Sequence, residues 1–253
     1  MRFWLFAAAF AALILIGRWI SPYDPFSANP EQSLRPPASN HLFGTDLLGR
    51  DVFSRALHGG FVTVAQAGWA AVIALASGLL IGLRKGAGLI NGLIDALNQG
   101  LLAIPGLMVS FAVLTLLGNA PSSLILAVAS AQIAPISRLI RQAVQAEARM
   151  MYVEAARCCG AEGRYLVWRH ILPNVMPGIG AYGCVTFGHC VLNGAALTFL
   201  GFGGEPGRAD WGVMLYEAWQ VFRAAPWVSV PPGLGIMLTV LILNEAADRI
   251  MKR

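Results

Sequence analysis

The chain has 253 residues, of which 57% are hydrophobic and only 12% charged, whereas a soluble domain carries roughly a quarter charged residues. With a mean hydropathy of +0.62, these figures exclude an ordinary water-soluble globule. A net charge of +5 would raise the question of nucleic acid in a soluble chain, but here the placement of the basic residues accounts for it and no nucleic acid partner is expected.

The apolar residues are clustered. No Asp, Glu, Lys or Arg lies between His58 and Arg84, Asp95 and Arg138, Arg169 and Glu205, or Arg223 and Glu245. These runs are long enough for spanning helices, which need about 20 apolar residues. An outer-membrane barrel would show alternating segments of about 10 residues, and residues 71–83 alternate nowhere. The expected class is an all-α polytopic membrane protein.

Residues 3–17 follow a basic start and are flanked by Trp4 and Trp19, residues that favour the membrane interface. A cleaved signal peptide wants a small-x-small site. The sequence continues instead with Arg18, Trp19, Ile20, Ser21 and Pro22, so residues 1–20 read as an uncleaved anchor with Arg18 snorkelling to the outer interface. Residues 21–58 contain Pro22, Pro25, Pro30, Pro36 and Pro37 and read as an extended periplasmic segment ending in a short helix around 45–57. The transmembrane domain is expected over 59–250, with spans near 61–83, 98–117, 121–137, 175–200 and 229–247. Gly118 to Ser123 supply turn residues between spans three and four. Pro105-Gly106 and Pro177-Gly178 are expected to kink or begin spans three and five. The polar loop 138–174 carries six arginines.

Six spans place both termini on one side. That side holds 12 Lys and Arg, among them Arg2, Arg84, Lys85, Arg138, Arg141 and Arg253, and the other side holds 6. The positive-inside rule therefore puts both termini and the 138–174 loop in the cytoplasm. The acidic residues divide 6 inside and 7 outside, giving +6 and −1, in agreement with the total of +5.

In the cytoplasmic loop the sequence reads Glu154, Ala155, Ala156, Arg157, Cys158, Cys159, Gly160, then nine residues to Arg169, then His170, Ile171, Leu172, Pro173 and Asn174. This resembles the E-A-A-x3-G-x9-I-x-L-P loop of permease subunits of binding-protein-dependent ABC importers. The motif's Ile is His170 here, a variation similar to the peptide and nickel branch, whose segment ends R-H-I-L-P-N. Small residues at Ala155, Ala156, Gly160 and Ala161 leave a low surface for close approach, Gly160 lets the backbone turn out of a helix, and Glu154, Arg157 and Arg164 place charges around it. The resemblance implies that these residues form the coupling helix that meets the ATPase subunit.

A second match runs from His41 to Arg55 and includes Gly44, Thr45, Asp46, Gly49, Arg50, Asp51, Ser54 and Arg55. It resembles the L-G-T-D-x-x-G-R-D-x-x-S-R signature of the dipeptide, oligopeptide and nickel branch, in its second permease type. Thr45 or Asp46 can cap the short helix, and Arg50 and Arg55 can pair with Asp46 or Asp51. A structural role and contact with the binding protein are both open. A third match, Leu197-Thr198-Phe199-Leu200-Gly201-Phe202-Gly203 followed by Asp210-Trp211-Gly212-Val213-Met214, is similar to the run leading out of span five in the same branch.

The sequence contains no G-x-x-x-x-G-K-[ST] phosphate loop, no HExxH and no G-x-S-x-G, so no catalytic residues are expected and ATP and Mg belong on partner subunits. Four cysteines (Cys158, Cys159, Cys184, Cys190) form neither a disulfide framework nor a CxxC site. His189, beside Cys190 in span five, is a candidate for a metal site, a helix-to-helix hydrogen bond or the pathway lining. At 100° per residue it does not share one face with both Cys184 and Cys190, and no metal site is expected. The 28 glycines suit close packing of membrane helices.

The resemblance implies a six-helix, MetI-like type I importer permease in a bacterial inner membrane. It also implies a second permease subunit, two ATP-binding subunits, a soluble binding protein, and cargo in the peptide, nickel or metal-chelate class. A secondary transporter or channel, which would need ionisable residues within its spans, and a membrane scaffold are the rival readings.

Overall fold

The computed structural model describes residues 2–84, 89–204 and 207–252, without the Arg2 side chain. Lys85, Glu205 and Arg253 of the charge comparison lie outside them. The described chain is built from helices: α1 (Arg2–Ile20), α2 (Val52–Gly82), α3 (Leu89–Ala103), α4 (Gly106–Leu117), α5 (Pro121–Glu147), α6 (Met151–Cys158), α7 (Gly163–Leu166), α8 (Leu172–Phe199), α9 (Trp211–Trp219) and α10 (Val230–Met251). Five helical stretches are long and apolar enough to cross a membrane, and the α3–α4 pair, bent by 110°, supplies a sixth pass if counted as one.

Two expected boundaries are corrected. The short helix over 45–57 and the span near 61–83 are one helix, α2, of 31 residues. At about 1.5 Å per residue it is roughly 46 Å long, longer than the ~30 Å hydrocarbon core, so its first turns project beyond it. Gly59 and Gly60 lie inside α2, where they let another segment approach. A Cβ on Gly60 would stand 2.7 Å from the Trp211 ring, and one on Gly59 would stand 3.3 Å from the Asp210 amide nitrogen. The span expected over 98–117, with a kink or start at Pro105-Gly106, is two helices: α3 begins earlier than expected, at Leu89, and meets α4 at the Ile104-Pro105 corner. Proline lacks the N–H needed to continue the ladder and disfavours helix in the residue before it.

α5 starts on Pro121 at its first turn, a position where the missing N–H costs nothing, and continues past residue 137 to Glu147. α8 begins at Leu172, earlier than expected, behind a single π-helical turn over Val167–Ile171. Pro173 has no N–H to return to the preceding turn, and the wider turn sits immediately before it.

The core is formed where α2, α5 and α8 pack, with α10 against α8 and α4 against α5. It has two parts. One contains Val52, Ala67, Leu124, Val128, Val191 and Trp211. The other, toward the arginine-rich loop, contains Ile136, Ile140, Val153, Leu166, Ile171 and Val175. α1 lies at the edge, touching α2 where Gly17 meets Leu57. Arg18 sits 4.1 Å from the centre of the Trp19 ring and 4.5 Å from that of Phe61, an arrangement that lets a cation stay at the interface.

Small residues set the spacing between α2 and α5. A Cβ on Gly78 would fall 2.2 Å from Ile136 Cγ2, so any side chain there must push the helices apart. Gly68 has room, with the Phe187 ring at 3.6 Å. Gly78→Leu is therefore expected to lower stability by about 1–3 kcal/mol, while Gly68→Ala leaves it within about 0.5 kcal/mol. Thermal unfolding of the detergent-solubilised chain checks both.

Candidate functional site

The cytoplasmic end is organised by α6. Val153 is fully buried and joins Ile140 and Val144 of α5 and Leu166, Val167 and Ile171 of the turn into α8. Tyr152 adds a polar tie. Its hydroxyl is 2.7 Å from Glu147 Oε1 and 3.1 Å from the His170 carbonyl, and Asn174 Nδ2 donates to it at 2.7 Å. Burial, then the Glu147 carboxylate, pushes the Tyr152 hydroxyl above its ordinary pKa, so it remains a donor at neutral pH.

The other face of α6 is open. Glu154, Ala155 and Arg157 are exposed and Ala156 is half-buried. Glu154 and Arg157 stand 3.8 Å apart with side chains 71% and 46% exposed, so this pair holds little structure together. The helix ends in a Schellman motif: the Gly160 amide donates to the Arg157 carbonyl at 2.9 Å and the Ala161 amide to the Ala156 carbonyl at 3.0 Å. This closure needs a left-handed residue, and Gly160 supplies it at φ +89. Arg164 is exposed on α7. Of the predicted residues of this loop, Glu154, Ala155, Arg157, Gly160 and Arg164 are exposed, while Ala156 and Ala161 are half-buried against the inner core. The structure adds three residues that the motif does not mention: Met151, 88% exposed, with Tyr165 and Trp168 also exposed. Large apolar side chains in a polar loop were the available signal. The surface has a floor of small residues, a charged rim and apolar projections.

The outer signature builds a second site. Asp46 Oδ2 accepts from Arg50 Nε at 2.6 Å and Arg55 Nη1 at 2.7 Å. Glu217 Oε2, from α9, takes the remaining faces of the same guanidiniums at 2.7 and 2.9 Å. Two carboxylates thus neutralise two arginines, and the Arg55 side chain is only 1% exposed. Burial pushes the Glu217 carboxyl above its ordinary range, with Arg50 and the Gly207 amide pulling the other way. Gly49 allows the turn, at φ +73, and a Cβ there would meet the Asn29 carbonyl oxygen at 1.8 Å.

One expectation for this segment is corrected. Neither Thr45 nor Asp46 caps the helix: Asp51 does, accepting from the Ser54 amide at 2.8 Å and the Ser54 hydroxyl at 2.7 Å, because α2 starts at Val52. Of the two carboxylates expected to pair with Arg50 and Arg55, Asp46 is the one that does, and Asp51 meets His41 Nδ1 at 2.8 Å. Thr45 is buried and bonds the Gln32 carbonyl and the Arg35 amide, and Gly44 turns beside Trp227. Sequence reasoning missed Glu217, which is distant along the chain. It quoted Asp210 only as part of a motif. Asp210 caps α9 through the Gly212 amide at 2.9 Å and accepts from Thr198 of α8 and Thr63 of α2, both at 3.0 Å.

His189 is exposed on α8 and Cys190 is buried. Among the described residues no three His, Cys, Asp or Glu side chains converge as a metal site requires.

The sequence profile described as the binding-protein-dependent transport system inner membrane component matches residues 70–253. The chain belongs to this family of permeases. It is 36% identical over 249 residues to the glutathione transport system permease protein GsiD of Escherichia coli O6:K15:H31, covering 96% of this chain and 82% of that one. It is 34% identical over 252 residues to the di/tripeptide transport system permease protein DppC of Pseudomonas aeruginosa, covering 96% and 83%. Among solved structures, the inward facing MetNI methionine ABC transporter aligns with a TM-score of 0.62 at 19% identity, over 78% of this chain and 95% of that chain. An amino acid ABC transporter solved with histidines aligns with a TM-score of 0.55 at 17% identity, over 78% and 91%. The fold is that of the MetI-like ABC permeases. The family is a membrane-embedded component of ATP-driven import, located in the inner membrane of bacteria, and membership gives no support to a secondary transporter or channel.

In this permease the outer charges hold structure. Asp46→Ala leaves two buried guanidiniums sharing one carboxylate and is expected to cost about 3–5 kcal/mol. Glu245→Ala, which removes an exposed partner of Arg249, is expected to cost about 0–1 kcal/mol. Chemical or thermal unfolding in detergent compares the two.

Proposed function

We propose that this permease forms half of the translocation pathway of an importer for short peptides, paired with a second permease subunit. Two ATP-binding subunits complete the assembly, one of them docking on the α6 surface, a soluble binding protein delivers cargo at the opposite side, and both termini lie in the cytoplasm. The observation that carries the reading is the α6 surface itself. It is open to a partner on one face and locked on the other, through Val153 and Tyr152, to α5 and to the start of α8. Peptide cargo is supported by the relatives, named for glutathione and for di- and tripeptides.

The mechanism follows from that linkage. ATP and Mg bind the partner subunits, and closure of that pair displaces α6. Because Val153 sits in a core shared with α5 and α8, those spans must move with it, since close-packed interiors switch between arrangements and do not stretch. The pathway opens outward to receive cargo, and hydrolysis restores the inward state. The chain thus contributes a two-state element whose equilibrium its partners bias. Glu154, Ala155, Ala156, Arg157, Gly160, Ala161 and Arg164 are the residues assigned to ATPase contact.

Ala155→Trp fills the low surface without touching the Val153 side. Gly160→Val forces a β-branched residue into a left-handed conformation at a cost of about 1–3 kcal/mol. Both are expected to leave assembly of the two permeases intact and to reduce ATP-driven uptake of glutathione or trialanine at least about tenfold, which corresponds to about 1.4 kcal/mol of coupling. Uptake in proteoliposomes at the unmodified rate would refute the assignment.

A further inference from the structure

A polar cavity of about 480 Å3 lies between α3 and α5, apart from both sites described above. Its level is fixed by two contacts with the last turn of α2. Arg141 Nη2 donates to the Ile81 carbonyl at 3.4 Å, and the Ser137 carbonyl lies 2.9 Å from where a Gly82 Cβ would be. The cavity is therefore near the cytoplasmic end of the spans. Its walls carry four carboxamides, Asn98, Gln99, Gln142 and Gln145, with Asp95, Arg138 and Arg141. Asn98 Nδ2 donates to Ser137 Oγ at 2.5 Å and fixes α3 against α5.

A surface of this composition cannot face hydrocarbon. α3 turns its other side outward, with Leu93, Leu97 and Leu101 exposed, so the polar wall is directed toward water or the pathway. Its charges are unequal. Asp95 Oδ1 meets Arg141 at 2.7 Å, while Arg138 is exposed and has no ion pair or hydrogen bond among the described residues. The cavity thus offers an uncommitted guanidinium, a carboxylate, and carboxamides that both donate and accept.

We propose that this cavity is a cargo site that holds a short zwitterionic peptide at the cytoplasmic end of the pathway, with Arg138 taking its α-carboxylate. The proposal rests on the peptide-importer reading. Asp95 supplies the sign required by an α-ammonium, and the carboxamides match the N–H and C=O groups of a peptide bond. An anionic phospholipid headgroup would also be drawn to Arg138 and Arg141. It offers mostly acceptors, however, so Asp95 would repel it and the carboxamide oxygens would gain nothing.

The test uses the complete transporter in nanodiscs without binding protein or ATP, with trialanine and its C-terminal amide as probes in equilibrium titration. The free acid should bind the unmodified complex at least about tenfold more tightly than the amide, the scale of a charge-assisted hydrogen bond. R138Q should remove that difference, and R138K should restore part of it. ATP-driven uptake of trialanine with the binding protein present is measured in parallel. If the unmodified complex does not take up the peptide, the importer reading fails and this site with it. If uptake is normal but R138Q leaves the preference for the free acid unchanged, only the site is overturned. Loss of co-purifying anionic phospholipid in R138Q, with peptide binding unaltered, would also overturn it and identify a headgroup site.

Discussion

Buried charge without a partner is the constraint around which the outer half of this permease is arranged. The first turns of α2 carry Arg55 into an environment that leaves it 1% exposed, and Arg50 precedes it nearly as deeply. Two guanidiniums out of water need two carboxylates in good geometry. Asp46 comes from the loop before the helix, and Glu217 from α9, beyond three further spans. Once Glu217 is committed, α9 is fixed, and its N-cap Asp210 can reach Thr63 on α2 and Thr198 on α8. Trp211 follows, its indole N–H bonded to the Ala56 carbonyl at 2.8 Å and its ring lying against Gly60 and Gly235. One nine-residue helix thus clamps the outer ends of α2, α8 and α10.

The inner half follows a different rule. Around α6 the seat is apolar, with Val153 among residues of α5 and the π-helical turn, and the polar tie through Tyr152 is exposed to water. A charged clamp resists displacement in any direction, whereas an apolar seat beside an exposed hydroxyl can be carried as a unit. In the proposed mechanism the outer clamp would be the fixed end and the α6 surface the driven end, with the Gly78 contact keeping α2 and α5 closely packed between them.

Much of this was legible in the sequence, and the exceptions have physical causes. The spans, the Gly118 break and the corner at Pro105 follow from hydropathy and from proline's missing donor. The E-A-A spacing matches an exposed helix, α6, and the Gly160 requirement is visible in its φ. The continuity of α2 was not readable, because glycines such as Gly59 and Gly60 can mark either a turn or a close approach, and only the presence of Trp211 tells which. The pairing of Arg50 and Arg55 with Glu217 was unreadable, since about 160 residues separate them and local carboxylates offered equally good spacing. The amphipathy of α3 was hidden where an uncharged stretch begins after Asp95, since Asn98 and Gln99 do not interrupt hydropathy but still define a polar face.

The measurement closest to the central claim, that α6 is where the ATPase subunits engage this permease, uses side chains the protein already has. Cys158 and Cys159 are exposed at the end of α6, while Cys190 is buried in α8. Maleimide labelling resolved by mass spectrometry would compare the permease pair alone with the complete transporter. The account predicts that Cys158 and Cys159 label readily in the permeases and are protected when the ATPase pair is bound. Equal labelling of both cysteines in a complex that retains its ATPase subunits would contradict it.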